Sequence, residues 1–276
     1  MAVGLAGQLR EGTKKSHTMA ENTGFVACFL KGVVEKKSYR KLISDLYFVY
    51  EAMEDEIERL VYQEHPVIKP IGFKSLFRKE TLENDLKFYF GDNWKNQINI
   101  SQSAKEYVER IREVAKNSPE LLVGHHYTRY IGDLSGGQIL KRIAKKALNL
   151  QGNDGLNFYE FELIPDEKKF KEEYSLTLNQ LPINQNTANQ IIDDIEKEFE
   201  STVQTLLRIV DSDQLLSDNT KLSLSLSRRQ PYLDPLNYIQ VMLLKAHREI
   251  PDEDTVNLDP LLRTIHAIAT GMKNTG

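Results

Sequence analysis

The chain has 276 residues, of which 28% are charged and 40% are hydrophobic, a composition typical of a globular protein with a sizeable core. Its 36 basic and 40 acidic side chains give a net charge of −4, which argues against a general nucleic-acid binder. No stretch approaches the roughly 18 consecutive apolar residues of a membrane span, so no membrane span is predicted. A single cysteine, Cys28, excludes an internal disulfide, and no secretory signal is readable, so a cytoplasmic protein is expected.

Helical periodicity runs through nearly the whole chain, and no segment alternates as a strand would. From Tyr39 to Val61 apolar residues recur every three or four positions, while Glu54 and other charged residues are expected to cover the opposite side. Shorter amphipathic helices are predicted over residues 81–90, 104–115 and 166–178. The pattern therefore predicts an all-α fold.

His17 lies on the first predicted helix in a row with Arg10, Lys14 and Glu21, which are one or two turns away. A neutral imidazole can ligate iron, and cations on the same side could pair with carboxylates of the same ligand. An iron porphyrin with two propionates requires that combination, and Glu21 could orient the imidazole. The alternative is a solvated, lysine-rich helix start in which His17 is an ordinary polar residue.

The remaining histidines are poorer candidates for a metal site. His125 and His126 are adjacent, hence about 100° apart around a helix axis, and cannot chelate one ion together. The chain has no Glu-x-x-His or His-x-x-x-His spacing, which weakens a di-iron bundle and excludes a zinc hydrolase of the His-Glu-x-x-His type.

Three glycines interrupt a helix that is predicted to follow Ser118, each at a cost of about 1 kcal/mol relative to alanine. Gly132 and Gly136 are four residues apart and share a face without Cβ atoms, where a flat ligand could lie and the helix could kink. Asp133 is beside that face and could hold a water network. The alternative is that residues 135–137 are merely a turn between two helices.

Residues 1 to about 192 resemble the haem oxygenases, closely those of cyanobacteria and plastids. The segments that carry the resemblance are LREGTKKSHTMAEN, YFVYEAMEDEIE, PELLVGHHYTRYIGDLSGGQILK and FYEF. The resemblance implies an all-α, haem-oxygenase-like helical bundle in which haem b lies between a proximal helix and a kinked, glycine-rich distal helix. By the same resemblance, His17 matches the axial iron ligand and Glu21 its polar neighbour.

The resemblance also implies roles for residues around the rest of the ligand. These are basic residues near the propionates (Arg10, Lys14 and Lys171), a haem-contacting tyrosine (Tyr127), the distal glycines (Gly132 and Gly136) and the aspartate of the distal water network (Asp133). The implied reaction opens haem at the α-meso carbon with O2 and electrons, giving biliverdin, CO and ferrous iron. Haem is thus cofactor and substrate, ferredoxin or a similar reductase is the expected donor, and a bilin reductase is a candidate downstream partner.

Two departures from the family pattern concern this site. Ser175, four residues after Lys171, stands where the family typically has an arginine that binds a propionate, and its loss is expected to loosen haem orientation. In the last bundle helix Phe199 fits, but Thr202 replaces an asparagine. An alternative function is therefore a haem-binding protein with impaired or no turnover.

The last part of the chain, residues 193–276, resembles the C-terminal end of phosphoenolpyruvate carboxylase. The matching segments are EKEFESTVQTLL, LSLSRRQPYLDPLNYIQVMLLKAHRE and LLRTIHAIATGMKNTG. That enzyme's metal ligands and catalytic histidine lie upstream of such a fragment, so no carboxylase activity is predicted. We expect a haem oxygenase-like domain over 1–192, with its last bundle helix replaced by a helix over 193–210, and a foreign, mostly helical extension. A non-functional fusion that folds poorly is the third alternative.

Overall fold

A computed structural model describes residues 4–21 and 36–197, with side chains described from Gly4 to Lys14 and from Lys36 onward. The helices in these ranges are α1 (Leu5–Glu21), α2 (Lys36–Tyr62), α3 (Lys79–Phe90), α4 (Gln102–Asn117), α5 (Leu122–His126), α6 (Gly132–Ala147), α7 (Glu167–Gln180) and α8 (residues 185–197). These ranges contain no strand, and the predicted all-α fold is confirmed. Of the helices described, none is both long and apolar enough to cross a membrane.

The core is built around α2, which packs against α3 and α4. Its inner face buries Ile43, Met53 and Ile57, as the apolar periodicity predicts. Glu54 was expected on the solvent side and is instead only 5% exposed, so that expectation is wrong. The physical reason is that the backbone N–H groups of Arg78 and Lys79, at the start of α3, donate to its carboxylate.

α1 packs against the last two helices described, α7 and α8. α1 packs against α7, and the backbone N–H of Ala6 donates to Asn179 at 3.0 Å. Gly12 lies so close to α8 that an added Cβ would be 2.7 Å from Ile192. Because α8 already begins at residue 185, no helix starts at 193 as predicted. The continuation of that predicted helix to 210 lies outside the described residues, and the domain boundary near 192 stays a prediction.

Candidate active site

The helix that carries the glycines is continuous. α5 passes into a π-helical segment, Tyr127–Ile131, and then into α6, with right-handed helical backbone angles at Ile131 and Gly132. The alternative of a turn over 135–137 is therefore wrong, since these residues lie inside α6. The sequence predicted that the helix could kink near the glycines, and the structure has a wide π turn directly before Gly132. Such π segments are rare and occur frequently at functional sites.

Gly132 and Gly136 face open space. A Cβ added to either glycine would meet no atom of the described residues within 4 Å. Gly137, by contrast, faces the ring of Tyr159, which an added Cβ would approach to 3.4 Å. Packing against a neighbour therefore explains Gly137 but not the first two glycines. A flat ligand could lie against the helix backbone on this face, because neither glycine projects a Cβ from it.

Asp133 lies beside the open face and is held by a tyrosine. The Tyr50 hydroxyl, on the inner face of α2, donates a hydrogen bond to the Asp133 carboxylate. Burial raises the pKa of Asp133 to about 6, while the Tyr50 hydrogen bond and the charges of Arg129 and Arg78 act in the opposite direction. The carboxyl group can therefore gain or release a proton close to neutral pH.

A buried polar cluster lies behind Asp133. The Tyr130 ring packs 5.5 Å from the Tyr50 ring, centroid to centroid, and its hydroxyl lies 3.4 Å from Oε1 of Glu54, to which it donates. Burial raises the pKa of Glu54 to about 7 against the backbone hydrogen bonds from Arg78 and Lys79. The Arg78 guanidinium donates to backbone carbonyls, among them that of Leu76 at 2.9 Å.

Reasoning from the sequence did not find this cluster. Tyr50 lies on the apolar stripe of α2, where a tyrosine is indistinguishable from an ordinary core residue. Glu54 belongs to an acidic run that is typical of a solvated face. Contacts with distant parts of the chain distinguish the two residues from their neighbours: Tyr50 donates to Asp133, and Glu54 accepts from Arg78 and Tyr130.

The structure brings Arg10 of α1 and Tyr127 of the π segment near each other. Burial raises the pKa of Tyr127, and the charge of Arg10 lowers it, so the two groups are close enough to interact. Arg10 and Lys14 are both exposed, one turn apart on α1. Two predicted cofactor-binding residues from distant parts of the chain therefore lie close together.

Lys171 and Ser175 lie one turn apart on α7. The Lys171 ammonium is 3.7 Å from the Glu167 carboxylate. The Ser175 hydroxyl donates to the backbone carbonyl of Lys171 at 2.8 Å, so its proton is used within its own helix. This position therefore supplies neither a cation nor a free hydroxyl donor to a carboxylate ligand.

The predicted iron ligand, His17, and its neighbour Glu21 both belong to α1, which confirms the helix but not the roles. Position 17 is one turn beyond Thr13, which is buried, and Lys14, which is exposed. The side chains of His17 and Glu21 lie outside the described residues, as do Phe199 and Thr202. Their contribution to a haem site stays a prediction.

His125 and His126 are completely buried and have protein partners. His125 contacts the Tyr107 hydroxyl through Nδ1 and the Asp194 carboxylate through Nε2. His126 contacts the Tyr174 hydroxyl through Nδ1 at 2.7 Å, and burial lowers its pKa to about 3. Both histidines therefore serve internal hydrogen bonding.

Comparisons with known proteins identify relatives of both parts of the chain. A "Heme oxygenase" family model matches residues 3–208, and a "Phosphoenolpyruvate carboxylase" family model matches residues 169–276. Both resemblances predicted from the sequence are thereby confirmed. The two matches overlap over residues 169–208, a stretch that includes all of α8 and the predicted boundary at 192.

Curated relatives and solved structures agree with the first match. "Heme oxygenase 1" of Synechocystis sp. is 58% identical over 199 residues, which are 72% of this chain and 82% of that protein. "Heme oxygenase" of Guillardia theta is 52% identical over 70% of this chain and 80% of that protein.

The crystal structure of Synechocystis heme oxygenase-1 in complex with heme superimposes with a TM-score of 0.72 at 53% identity, covering 76% of this chain and 96% of that one. Heme oxygenase-2 of the same organism, in complex with heme and NO, gives a TM-score of 0.77 at 38% identity, over 83% of this chain and 93% of that one. By sequence and by fold, the chain belongs to the haem oxygenase family.

Proposed function

We propose that this protein is a haem oxygenase, an oxidoreductase that degrades haem. The observation that carries the proposal is the open face at Gly132 and Gly136, directly beside a carboxylate that Tyr50 holds. A planar macrocycle fits a helix face on which neither glycine projects a Cβ. The membership in the family supplies independent support.

Haem would be held mainly from α1. We assign the iron to His17, with Glu21 orienting the imidazole. Arg10, Lys14 and Lys171 would pair with the propionates, since guanidinium and ammonium groups are the usual partners of such carboxylates. In support of this arrangement, α1 packs against α7, and Arg10 lies near Tyr127, which would contact the macrocycle.

When bound, haem supplies the iron that activates dioxygen and is itself the substrate, opened at the α-meso carbon to biliverdin, CO and ferrous iron. Asp133 acts as the proton-handling group on the open side, through water. Its pKa of about 6 suits it to exchange protons near neutral pH, and the hydrogen bond from Tyr50 keeps the carboxylate in one place. Gly132 and Gly136 let the substrate approach the helix backbone.

The electron donor that we propose is reduced ferredoxin, because the sequence is of cyanobacterial type and two of its relatives come from photosynthetic organisms. The product biliverdin would then pass to a bilin reductase. Adding reduced ferredoxin or a flavoprotein reductase separately to the haem-loaded protein distinguishes the donors by the initial rate of bilin formation.

A second candidate function is haem binding with impaired or no turnover. Ser175 favours it, because its hydroxyl is bonded to its own helix and no arginine is present to fix a propionate. Ser175→Arg tests this directly. If the missing cation limits the enzyme, the variant makes bilin faster and with a larger share of the α isomer, separated chromatographically.

Titration of the purified protein with haemin, followed by addition of a reductant under air, tests the proposal. We expect a shifted Soret band that saturates at one equivalent, and then a bilin spectrum with release of CO. His17→Ala should lose the histidine-ligated spectrum. Haem binding without bilin in the presence of any of the donors supports the second candidate, and no Soret shift at all overturns both.

A further inference from the structure

A chain of three hydrogen bonds connects the last described helix to the candidate active site. Asp194 of α8 contacts Nε2 of His125 at 2.9 Å, and Nδ1 of His125 contacts the Tyr107 hydroxyl at 3.1 Å. Nε of Arg129 then donates to the Tyr107 oxygen at 3.4 Å, and the guanidinium lies 5.0 Å above the centre of the Tyr107 ring. Asp194 and His125 are 6% and 0% exposed.

Asp194 determines which group donates and which accepts in each of these hydrogen bonds. A carboxylate can only accept, so Asp194 requires the proton of His125 on Nε2. In the neutral imidazole, Nδ1 then carries a lone pair and accepts the Tyr107 O–H. The Tyr107 oxygen is left with its lone pairs for the N–H of Arg129. One carboxylate thereby determines the tautomer of a histidine and the orientation of a hydroxyl, and such aligned bonds reinforce one another.

The chain of hydrogen bonds ends at Arg129, whose charge acts on Asp133. Arg129 is in the π segment, four residues before Asp133, and its charge lowers the pKa of that carboxyl group. Tyr50 from α2 and Arg78, the residue before α3, also lower the pKa of Asp133. Within the described part of the chain, neither Tyr50 nor Arg78 forms a hydrogen bond or an ion pair with His125 or Asp194, so the route from α8 runs through Arg129.

We propose that Asp194 is a positioning residue of the haem oxygenase reaction, which holds Arg129 beside Asp133 through His125 and Tyr107. This inference rests on the proposed function only for its effect on bilin formation, since the effect on Asp133 can be measured in the apoprotein. Asp194 lies in the overlap of the two family matches, two residues beyond the predicted boundary. The helix at the junction therefore contributes to the chemistry as well as to the core.

The test uses the full-length apoprotein, in which the proposed role has a readout apart from activity. Carbon-13 NMR of labelled aspartate gives the pKa of Asp133, and nitrogen-15 NMR gives the tautomer of His125. In Asp194→Asn the amide can donate to Nε2, so we expect the His125 proton to move to Nδ1. With Arg129 less well held, the pKa of Asp133 should rise by about 0.5 to 1.

Two further variants keep the result interpretable if Asp194→Asn folds poorly. Tyr107→Phe removes the oxygen that Arg129 contacts and should raise the pKa of Asp133 similarly. Asp194→Glu keeps the carboxylate and should restore the wild-type tautomer. Arg110→Gln is the matched control, because Arg110 also pairs with Asp194 and so ties α8 to α4, but lies outside the hydrogen-bond chain. It should leave the pKa of Asp133 unchanged.

An unchanged pKa of Asp133 in both Asp194→Asn and Tyr107→Phe overturns the proposal, as does an equal shift in Arg110→Gln, which would indicate a general loosening of α8. If the pKa moves as expected but the wild-type protein makes no bilin, the proposed function fails and the coupling stands. If bilin forms and the pKa does not move, only the positioning role fails.

Discussion

The two halves of the helix that runs from α5 through α6 use glycine for opposite purposes. In the first half, Gly124 allows close contact with α8, because an added Cβ would lie 2.6 Å from Ile195. In the second half, no atom of the described ranges comes within 4 Å of a Cβ added to Gly132 or Gly136. The first half is closed by protein, and the second leaves room for a ligand. Glycine in one helix can therefore allow close packing or leave space for a ligand, and only the surrounding atoms distinguish the two roles.

The largest effect is expected at the border of the closed and open halves, in Asp133→Ala. Removing the carboxyl group should reduce bilin formation by about 10² to 10⁴, the usual contribution of a positioned proton donor or acceptor. Haem binding, followed by the Soret band, should persist, because no haem contact is lost. Tyr50→Phe is the matched control, since it removes the hydrogen bond but keeps the carboxylate, and should have a smaller effect. An unimpaired yield of biliverdin refutes the role.

Glu54→Gln tests the buried polar cluster behind Asp133. The folded protein holds the Glu54 proton up to a pKa of about 7, whereas the unfolded chain releases it near 4.5. The wild type therefore loses stability as the pH rises between these values, and the neutral variant does not. The variant should gain up to about 3 kcal/mol in free energy of unfolding, relative to the wild type, between pH 4 and pH 8.

Urea unfolding at several pH values measures this difference. Glu58→Gln, which removes the same charge from an exposed position on α2 where Glu58 pairs with Lys74, is the control. A pH-independent difference between Glu54→Gln and the wild type would show that the carboxyl group keeps its ordinary pKa.

Gly124→Ala tests the closed half itself. The new methyl group would overlap Ile195 and touch Ile191, so α8 must shift, and the free energy of unfolding should fall by about 1 to 3 kcal/mol. Urea unfolding of the apoprotein is the measurement. An unchanged stability would mean that α8 is not packed against this glycine as tightly as the distances indicate.

Gly136→Ala makes the same chemical change in the open half, and its effect on stability should be the smallest and of opposite sign. Alanine is favoured over glycine in a helix interior by up to about 1 kcal/mol, and none of the residues that the structure describes would obstruct the new methyl group. The apoprotein should therefore be slightly more stable, while haem affinity and turnover decrease. Wild-type haem binding in this variant would exclude the Gly136 face as the ligand surface.

Local patterns predicted much of the fold and part of the site. The helices around residues 39–61 and 104–115 follow directly from apolar periodicity, and the glycine spacing indicated the open face with Asp133 beside it. Glu54 was misplaced, because the backbone N–H groups that permit its burial come from another helix. Asp194 and its partner His125 are 69 residues apart, so no local pattern could have linked them. Long-range hydrogen bonds are therefore the part that periodicity cannot supply.

The wide π turn at Tyr127–Ile131 also bears on how the chain can change in length. A π turn closes its hydrogen bonds five residues apart instead of four, so it holds one residue more than the α turn that it replaces. Deleting one residue of this turn should therefore give a regular α-helix and leave Gly132, Asp133 and Gly136 on nearly the same face. A deletion between Gly132 and Gly136 would instead rotate Gly136 away from Gly132 by about 100°, so natural variants should lose a residue in the π turn more readily than within the glycine motif.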